Sequence, residues 1–261
     1  MSDLKIAGVQ THQFWEDKAK NLAHFDELLI KSNLSEVDVL VFPEMFHTGF
    51  SMNASSLYEE MDNSIGIDWL KQKSNQYDCL TIASLIIMEN EKYFNRMVAV
   101  YPNGTIEHYD KRCLFSFAGE DKVFSAGENE KIIQYKGWNI LLQVCFDLRF
   151  PENARNEIVK NDTAKYDFVI YVANWPKKRI LHWEKLLPAR AIENQVYVLG
   201  INRVGMDGNQ HEYNGKSCLY SPTGDTLAEL QDSQEGILYG TIDKESIQNI
   251  REKMNFLADR K

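Results

Sequence analysis

Ile140-Leu141-Leu142-Gln143-Val144-Cys145-Phe146-Asp147-Leu148-Arg149-Phe150-Pro151-Glu152 is an apolar run that stops at a thiol and continues as a polar turn. An apolar run with little alternation reads as a strand buried on both faces, the kind that parallel sheets place between layers of helices. The Cys145 thiol therefore stands at a strand end, where the N–H groups of the following turn, that of Phe146 first, can face whatever the sulfur attacks. Taken alone, a cysteine in such a place is more often a small buried hydrophobe than a nucleophile.

Two earlier runs also end in a functional group. The apolar Val39-Leu40-Val41-Phe42-Pro43-Glu44 closes in a carboxylate, and the more polar His108-Tyr109-Asp110-Lys111 closes in an amine. Around them the chain alternates strand and helix patterns. Strands are expected at 4–9, 37–42, 80–88, 93–100, 105–109, 131–135, 139–144, 167–173 and 196–202. Helices are expected at 16–31, 67–76, 152–160 and 180–194, where apolar residues recur at helical spacing. Tyr101-Pro102-Asn103-Gly104 and Ser221-Pro222-Thr223-Gly224 have hairpin turn chemistry, and a last strand is expected at 236–242. Crossover strands mixed with hairpins predict an α/β fold of two mixed sheets packed face to face with helices outside, in one domain spanning residues 1–261.

Composition narrows the function classes. The chain has 261 residues, 44% of them hydrophobic, enough for a full core. Its formal net charge of −9 argues against nucleic acid or an anionic membrane as the main partner. No apolar run approaches the roughly 20 residues of a membrane span. The N-terminus enters an apolar strand without a signal-peptide pattern. Cysteines at 79, 113, 145 and 218 have neither metal-ligand spacing nor the density of a disulfide scaffold, which fits reduced thiols in a cytoplasmic setting and no metal or organic cofactor. The charged clusters at 251–253 and 259–261 read as solvated ends.

The order Glu44, Lys111, Cys145 resembles the nitrilase superfamily of carbon-nitrogen hydrolases. The pieces that carry the resemblance are Pro43-Glu44-Met45-Phe46, Tyr109-Asp110-Lys111-Arg112-Cys113-Leu114-Phe115, the Cys145 segment, Leu187-Pro188-Ala189-Arg190-Ala191-Ile192-Glu193-Asn194-Gln195-Val196-Tyr197-Val198, and Ser221-Pro222-Thr223-Gly224. The resemblance implies a four-layer αββα sandwich, assembled as a homodimer or higher homo-oligomer, that acts on a small-molecule amide. It implies Cys145 as nucleophile, Glu44 as base, and Lys111 as the cation that stabilises thiolate and oxyanion together with the N–H of Phe146. A buried carboxylate is a stronger base than a solvated one, and a thiolate is nucleophile enough for an amide carbon. Glu120, which precedes the turn Phe124-Ser125-Ala126-Gly127, takes the place of a further family glutamate that would position Lys111 or the substrate nitrogen; its plain alternative is a solvated loop carboxylate. Asn174 and Trp175 fall where the family lines its pocket, although Trp175 has an alternative as core.

Phe146-Asp147-Leu148 after the cysteine differs from the Trp-Glu-Asn common in nitrile-cleaving members. Arg149-Phe150-Pro151-Glu152 instead resembles the ω-amidase branch, whose substrates are short dicarboxylic acid monoamides such as α-ketoglutaramate. An arginine can hold the free carboxylate of such a substrate by a bidentate pair. Arg149 is the candidate, against an internal salt bridge to Glu152 or Asp147; Arg203 is another. The alternatives are a different small-amide or N-carbamoyl amidase of the superfamily, a papain-type hydrolase, and a binding protein on this scaffold. The second lacks a recognisable histidine signature, and the third would not need Glu44, Lys111 and Cys145 together.

Overall fold

A computed structural model describes residues 3–159 and 163–260. Fourteen strands and five α-helices are seen among them. The first half contributes β1 (Leu4–Gln10), α1 (Lys18–Ile30), β2 (Val39–Val41), α2 (Ala54–Leu57), α3 (Ile65–Tyr77), β3 (Leu80–Glu89), β4 (Lys92–Val100) and β5 (Ile106–Asp110). The second contributes β6 (Ile132–Tyr135), β7 (Trp138–Val144), β8 (Phe168–Val172), α4 (Ile180–Asn194), β9 (Tyr197–Ile201), β10 (Val204–Met206), β11 (Glu212–Asn214), β12 (Cys218–Tyr220), β13 (Thr226–Glu229), β14 (Gly236–Ile242) and α5 (Lys244–Lys253).

The strands form two six-stranded mixed sheets, ordered β14-β1-β2-β3-β4-β5 and β13-β12-β9-β8-β7-β6, with β10 and β11 as a separate ribbon. In each large sheet three consecutive parallel strands are flanked by antiparallel ones: β1, β2 and β3 in the first, β7, β8 and β9 in the second. The sequence has no internal repeat, yet the two halves use the same strand pattern.

Strand periodicity explains the layering. Along β7, Ile140, Leu142 and Val144 face the core between the sheets while Leu141 faces the layer beneath α4. On β2, Val39 and Val41 point inward and Leu40 toward α1 and α3. Both faces are apolar because both are covered, which is why these runs lack alternation. The helices start where side chains cap them: Asp17 accepts from the N–H of Lys20 at 3.0 Å, and Ser64 from that of Ile67 at 2.9 Å. The β6–β7 hairpin turns through Lys136 and Gly137, with φ of 46° and 80°, the positive pair that a two-residue hairpin needs. This is the α/β sandwich expected from the alternation of elements.

Some expectations fail. The helix expected at 152–160 is a short 3₁₀ turn, Pro151–Ala154, followed by irregular chain; residues 160–162 lie outside the described residues. The buried Asn156 explains the break. Its N–H donates to Asn194 Oδ1 and its carbonyl accepts from Arg260, so distant chain takes the backbone groups a helix would have used, while its Nδ2 donates to the carbonyls of Tyr166 and Asn194. Strand β2 is shorter than expected. Of the charges at 251–253 and 259–261, Glu252, Lys253 and Asp259 are exposed as expected and Lys261 lies outside the described residues, but Arg251 and Arg260 are docked. Arg251 on α5 reaches Asp167 Oδ1 at 2.7 Å and Arg260 reaches Asn194 Oδ1 at 3.0 Å, which clamps the C-terminus against the second sheet.

Candidate active site

The parallel strands of the two sheets end at the same edge of the sandwich, and the loops beyond them bring the charged residues together. Glu44 follows β2, Lys111 follows β5, Cys145 follows β7 and Asn174 follows β8. Each strand end is separately fixed. Gln13 Nε2 donates to the carbonyls of Glu44 and Phe46 at 3.1 Å, which holds the turn after Pro43. The carbonyl of Lys111 accepts from the N–H of Gly127 at 2.9 Å, and a Cβ at Gly127 would lie 2.2 Å from the carbonyl oxygen of Asp110. Only glycine permits that approach.

Cys145 has φ of 44°, a left-handed conformation that usually costs a side-chain-bearing residue about 1–3 kcal/mol. Asp147 overdetermines it. Its buried carboxylate accepts from the N–H groups of Val144 and Cys113, each at 2.9 Å, and from Tyr109 Oη at 2.8 Å. Burial pushes the Asp147 pKa up against these hydrogen bonds. Arg190 of α4 supports the same turn through Nη2 to the carbonyl of Leu148, at 2.7 Å.

Lys111 Nζ lies 2.9 Å from Glu44 Oε1 and 2.9 Å from Glu120 Oε2, with all three side chains fully buried. Burial acts to lower the Lys111 pKa, but Glu120 and Glu44 outweigh it and hold the ammonium charged. Glu120 is thus inside the site, and it also accepts from the N–H of Phe115, at 2.6 Å. Burial pushes the Cys145 thiol well above its ordinary pKa; Glu44 adds to this and Lys111 opposes it. Burial and Glu44 both favour the protonated thiol over the thiolate. Asn174 donates its N–H to Glu44 Oε2 at 2.8 Å and its Nδ2 to the carbonyl of Glu44 at 2.6 Å, so each oxygen of the Glu44 carboxylate has a donor.

Asn95, on β4, is the member that sequence reading missed. Its Nδ2 donates to Glu44 Oε1 at 2.8 Å and to Glu120 Oε1 at 3.1 Å, bridging the two carboxylates. A lone amide before the apolar run Met97-Val98-Ala99-Val100 was the available signal.

Cys145 opens on a cavity of about 710 Å³, which Phe146, Arg149, Asn174 and Trp175 all line. Trp175 both lines the cavity and packs in the core under α4. Arg149 forms a salt bridge with neither Glu152 nor Asp147. Its Nη2 donates to His182 Nδ1 at 3.1 Å, and its Cζ stands 4.7 Å from the centroid of the Trp175 ring. Arg203 is not a cavity residue: it is fully buried, donating to the carbonyls of Val204 and Gln13 at 3.2 and 3.1 Å. Burial lowers its pKa to about 10. Among the described residues no group of three metal-ligating side chains is assembled, and no helix is long and apolar enough to cross a membrane.

Comparison with known proteins gives the family. Residues 5–252 match the sequence model of the carbon-nitrogen hydrolase family. The chain is 43% identical over 259 residues to the omega-amidase YafV of Yersinia enterocolitica, covering 99% of this chain and 97% of that protein. It is 32% identical over 236 residues to the 2-oxoglutaramate amidase of Bacillus subtilis, covering 89% and 88%. A crystal structure of a CN-hydrolase superfamily protein from Xanthomonas campestris, with an arsenic adduct in its active site, aligns with a TM-score of 0.96 at 34% identity, over 100% of this chain and 98% of that one. The chain belongs to the carbon-nitrogen hydrolase family, within the nitrilase superfamily, and is an amide-hydrolysing enzyme.

Proposed function

We propose that this enzyme is an ω-amidase that hydrolyses the terminal amide of short dicarboxylic acid monoamides through an acyl-thioester on Cys145. One observation carries the substrate class: Arg149 lines the cavity next to Cys145, and among the described residues its guanidinium meets a histidine and aromatic rings but no carboxylate. A substrate carboxylate would supply the missing counter-charge at the far end of a short chain whose amide lies on the sulfur. The relatives named omega-amidase and 2-oxoglutaramate amidase support the same class.

Glu44 takes the thiol proton as the sulfur attacks the amide carbon. The oxyanion that forms is met by Lys111 and the N–H of Phe146. Collapse of the tetrahedral intermediate breaks the C–N bond, and Glu44 returns its proton so that ammonia leaves. Water, deprotonated by Glu44, then attacks the thioester and frees the acid and the thiol. Glu120 and Asn95 hold Lys111 and Glu44 in place without touching the substrate.

Steady-state ammonia release from succinamate or α-ketoglutaramate, set against butyramide, tests the substrate class. Arg149 is only partly buried, and a hydrogen bond to a charged group contributes about 1.5–3 kcal/mol, so the acids should be favoured at least about tenfold in kcat/KM. Equal values would reject the assignment. The reading extends to a cytoplasmic homodimer, for which Leu181 and Ile192 on α4, 60% and 54% exposed, supply an apolar outer face. Sedimentation of a monomer across micromolar concentrations would refute that extension.

A further inference from the structure

The cavity wall carries a second guanidinium. Arg179 closes the 3₁₀ turn Lys177–Arg179 in front of α4, half-buried, with its Cζ 5.0 Å from the centroid of the Phe115 ring. Its backbone is tied to the residue on which Arg149 stacks, because the carbonyl of Arg179 accepts from Trp175 Nε1 at 2.8 Å. Trp175 is in turn fixed by its N–H to Asn202 Oδ1, also at 2.8 Å. One anchored indole thus locates both arginines.

Neither guanidinium is neutralised. Lys177, on the same turn, pairs with Glu212 at 2.6 Å, whereas among the described residues neither Arg149 nor Arg179 has a carboxylate partner. Burial lowers the pKa of Arg149 and the charge of Arg179 lowers it further, so the two cations feel each other. Like charges held together in a partly desolvated wall, on a protein of net charge −9, are unfavourable until an anion joins them. A carboxylate has about four lone-pair sites and can accept from two arginines at once.

We propose that Arg179 is a specificity-determining residue that shares the distal carboxylate of the substrate with Arg149. The inference rests on the substrate class proposed above and adds the second group that reads it.

The test is the ratio of kcat/KM for succinamate to that for butyramide, measured in wild type, Arg149→Met and Arg179→Met at low and high salt. Arg179→Met should lower the ratio at least about tenfold, chiefly through the KM of succinamate, at both salt concentrations. A ratio that does not change, or that changes at low salt only, overturns the inference; the second result would mean that Arg179 attracts anions without touching them. Equal losses on both substrates also overturn it, since they would mark Arg179 as a support for Phe115 and Trp175. Wild type that does not distinguish the substrates would refute the ω-amidase reading itself. Wild type that distinguishes them, with the ratio lost in Arg149→Met and kept in Arg179→Met, would overturn this inference alone.

Discussion

Asn95→Ala should cut turnover by about 100-fold while the chain still folds. The Nδ2 of Asn95 donates to both Glu44 and Glu120, at 2.8 and 3.1 Å, and both acceptors are charged. Hydrogen bonds to charged groups contribute about 1.5–3 kcal/mol each, and Lys111 remains to compensate for part of the loss. A net of about 2.7 kcal/mol in the barrier is a factor of about 100. Asn95 Oδ1 is buried without a partner, so the substitution leaves no donor stranded. Asn95→Asp sharpens the test, because it puts a third carboxyl beside two carboxylates that share one ammonium. The folded-state pKa of that new group would be raised, so the variant is penalised as pH rises above the unfolded value of about 3.9 and is relieved as pH falls. The assay is kcat for ammonia release between about pH 6 and 9, with urea unfolding alongside. Asn95→Ala within threefold of wild type, or Asn95→Asp no worse than Asn95→Ala at the alkaline end, would refute the idea that this amide holds the two carboxylates together.

Cys145→Ala should abolish amide hydrolysis with an unchanged far-ultraviolet dichroism spectrum, and appreciable ammonia release by the folded variant would move the nucleophile elsewhere. Exhaustive chelation should leave kcat unaltered; a loss restored by one divalent ion would contradict the thiol mechanism. Glu59→Gln should destabilise the fold by about 3 kcal/mol at most at pH 7. Burial pushes the Glu59 pKa up, but His47, Lys18 and Ser64 together hold it at about 2. Its stabilisation is complete above the unfolded value and disappears as pH falls through about 2, so the gap between the urea midpoints of wild type and variant should close in acid. A gap that widens in acid would reverse the sign.

Glu44 and Cys145 were legible because each ends an apolar run buried on both faces, which leaves no other place for a polar group, whereas Lys111 ends the more polar and partly exposed β5 and was legible only together with them. Glu120 was legible only as part of that set; the loop around it is polar, and nothing local separates a solvated carboxylate from one that folds back 2.9 Å from an ammonium. Asn95 was missed for the opposite reason. It sits inside a strand, on β4, where a polar residue reads as a flaw in the pattern unless its partners on other loops are known. The 3₁₀ turn at Pro151–Ala154 and the docked C-terminus were misread alike, because Asn156, Arg251 and Arg260 satisfy groups far away in the chain. The β10–β11 ribbon is three residues on each side, too short to show a period.

Charge balance explains why the proposed site needs two carboxylates for one lysine. Glu44, Glu120 and Lys111 carry one net negative charge beside a neutral thiol. In the proposed mechanism, transfer of the proton from sulfur to Glu44 leaves the net charge of the buried cluster unchanged, and it would stay unchanged when the thiolate becomes part of an intermediate with an oxyanion. The barrier of that mechanism would therefore contain no cost of burying new charge. Glu120→Gln breaks that balance and separates its two effects. Glu120 is one of the groups that raises the Cys145 pKa, after burial and Glu44, so its loss should move the pH midpoint of iodoacetamide alkylation downward. Turnover should nevertheless fall at least about tenfold, because Glu120 supplies two of the three contacts that fix Lys111 Nζ against the carboxylates. A thiol that becomes easier to ionise in an enzyme that becomes slower would identify Glu120 as a positioning residue for Lys111. An upward shift of the alkylation midpoint would show that Glu120 does not act on Cys145 as a nearby negative charge, and the balance argued here would fall with it.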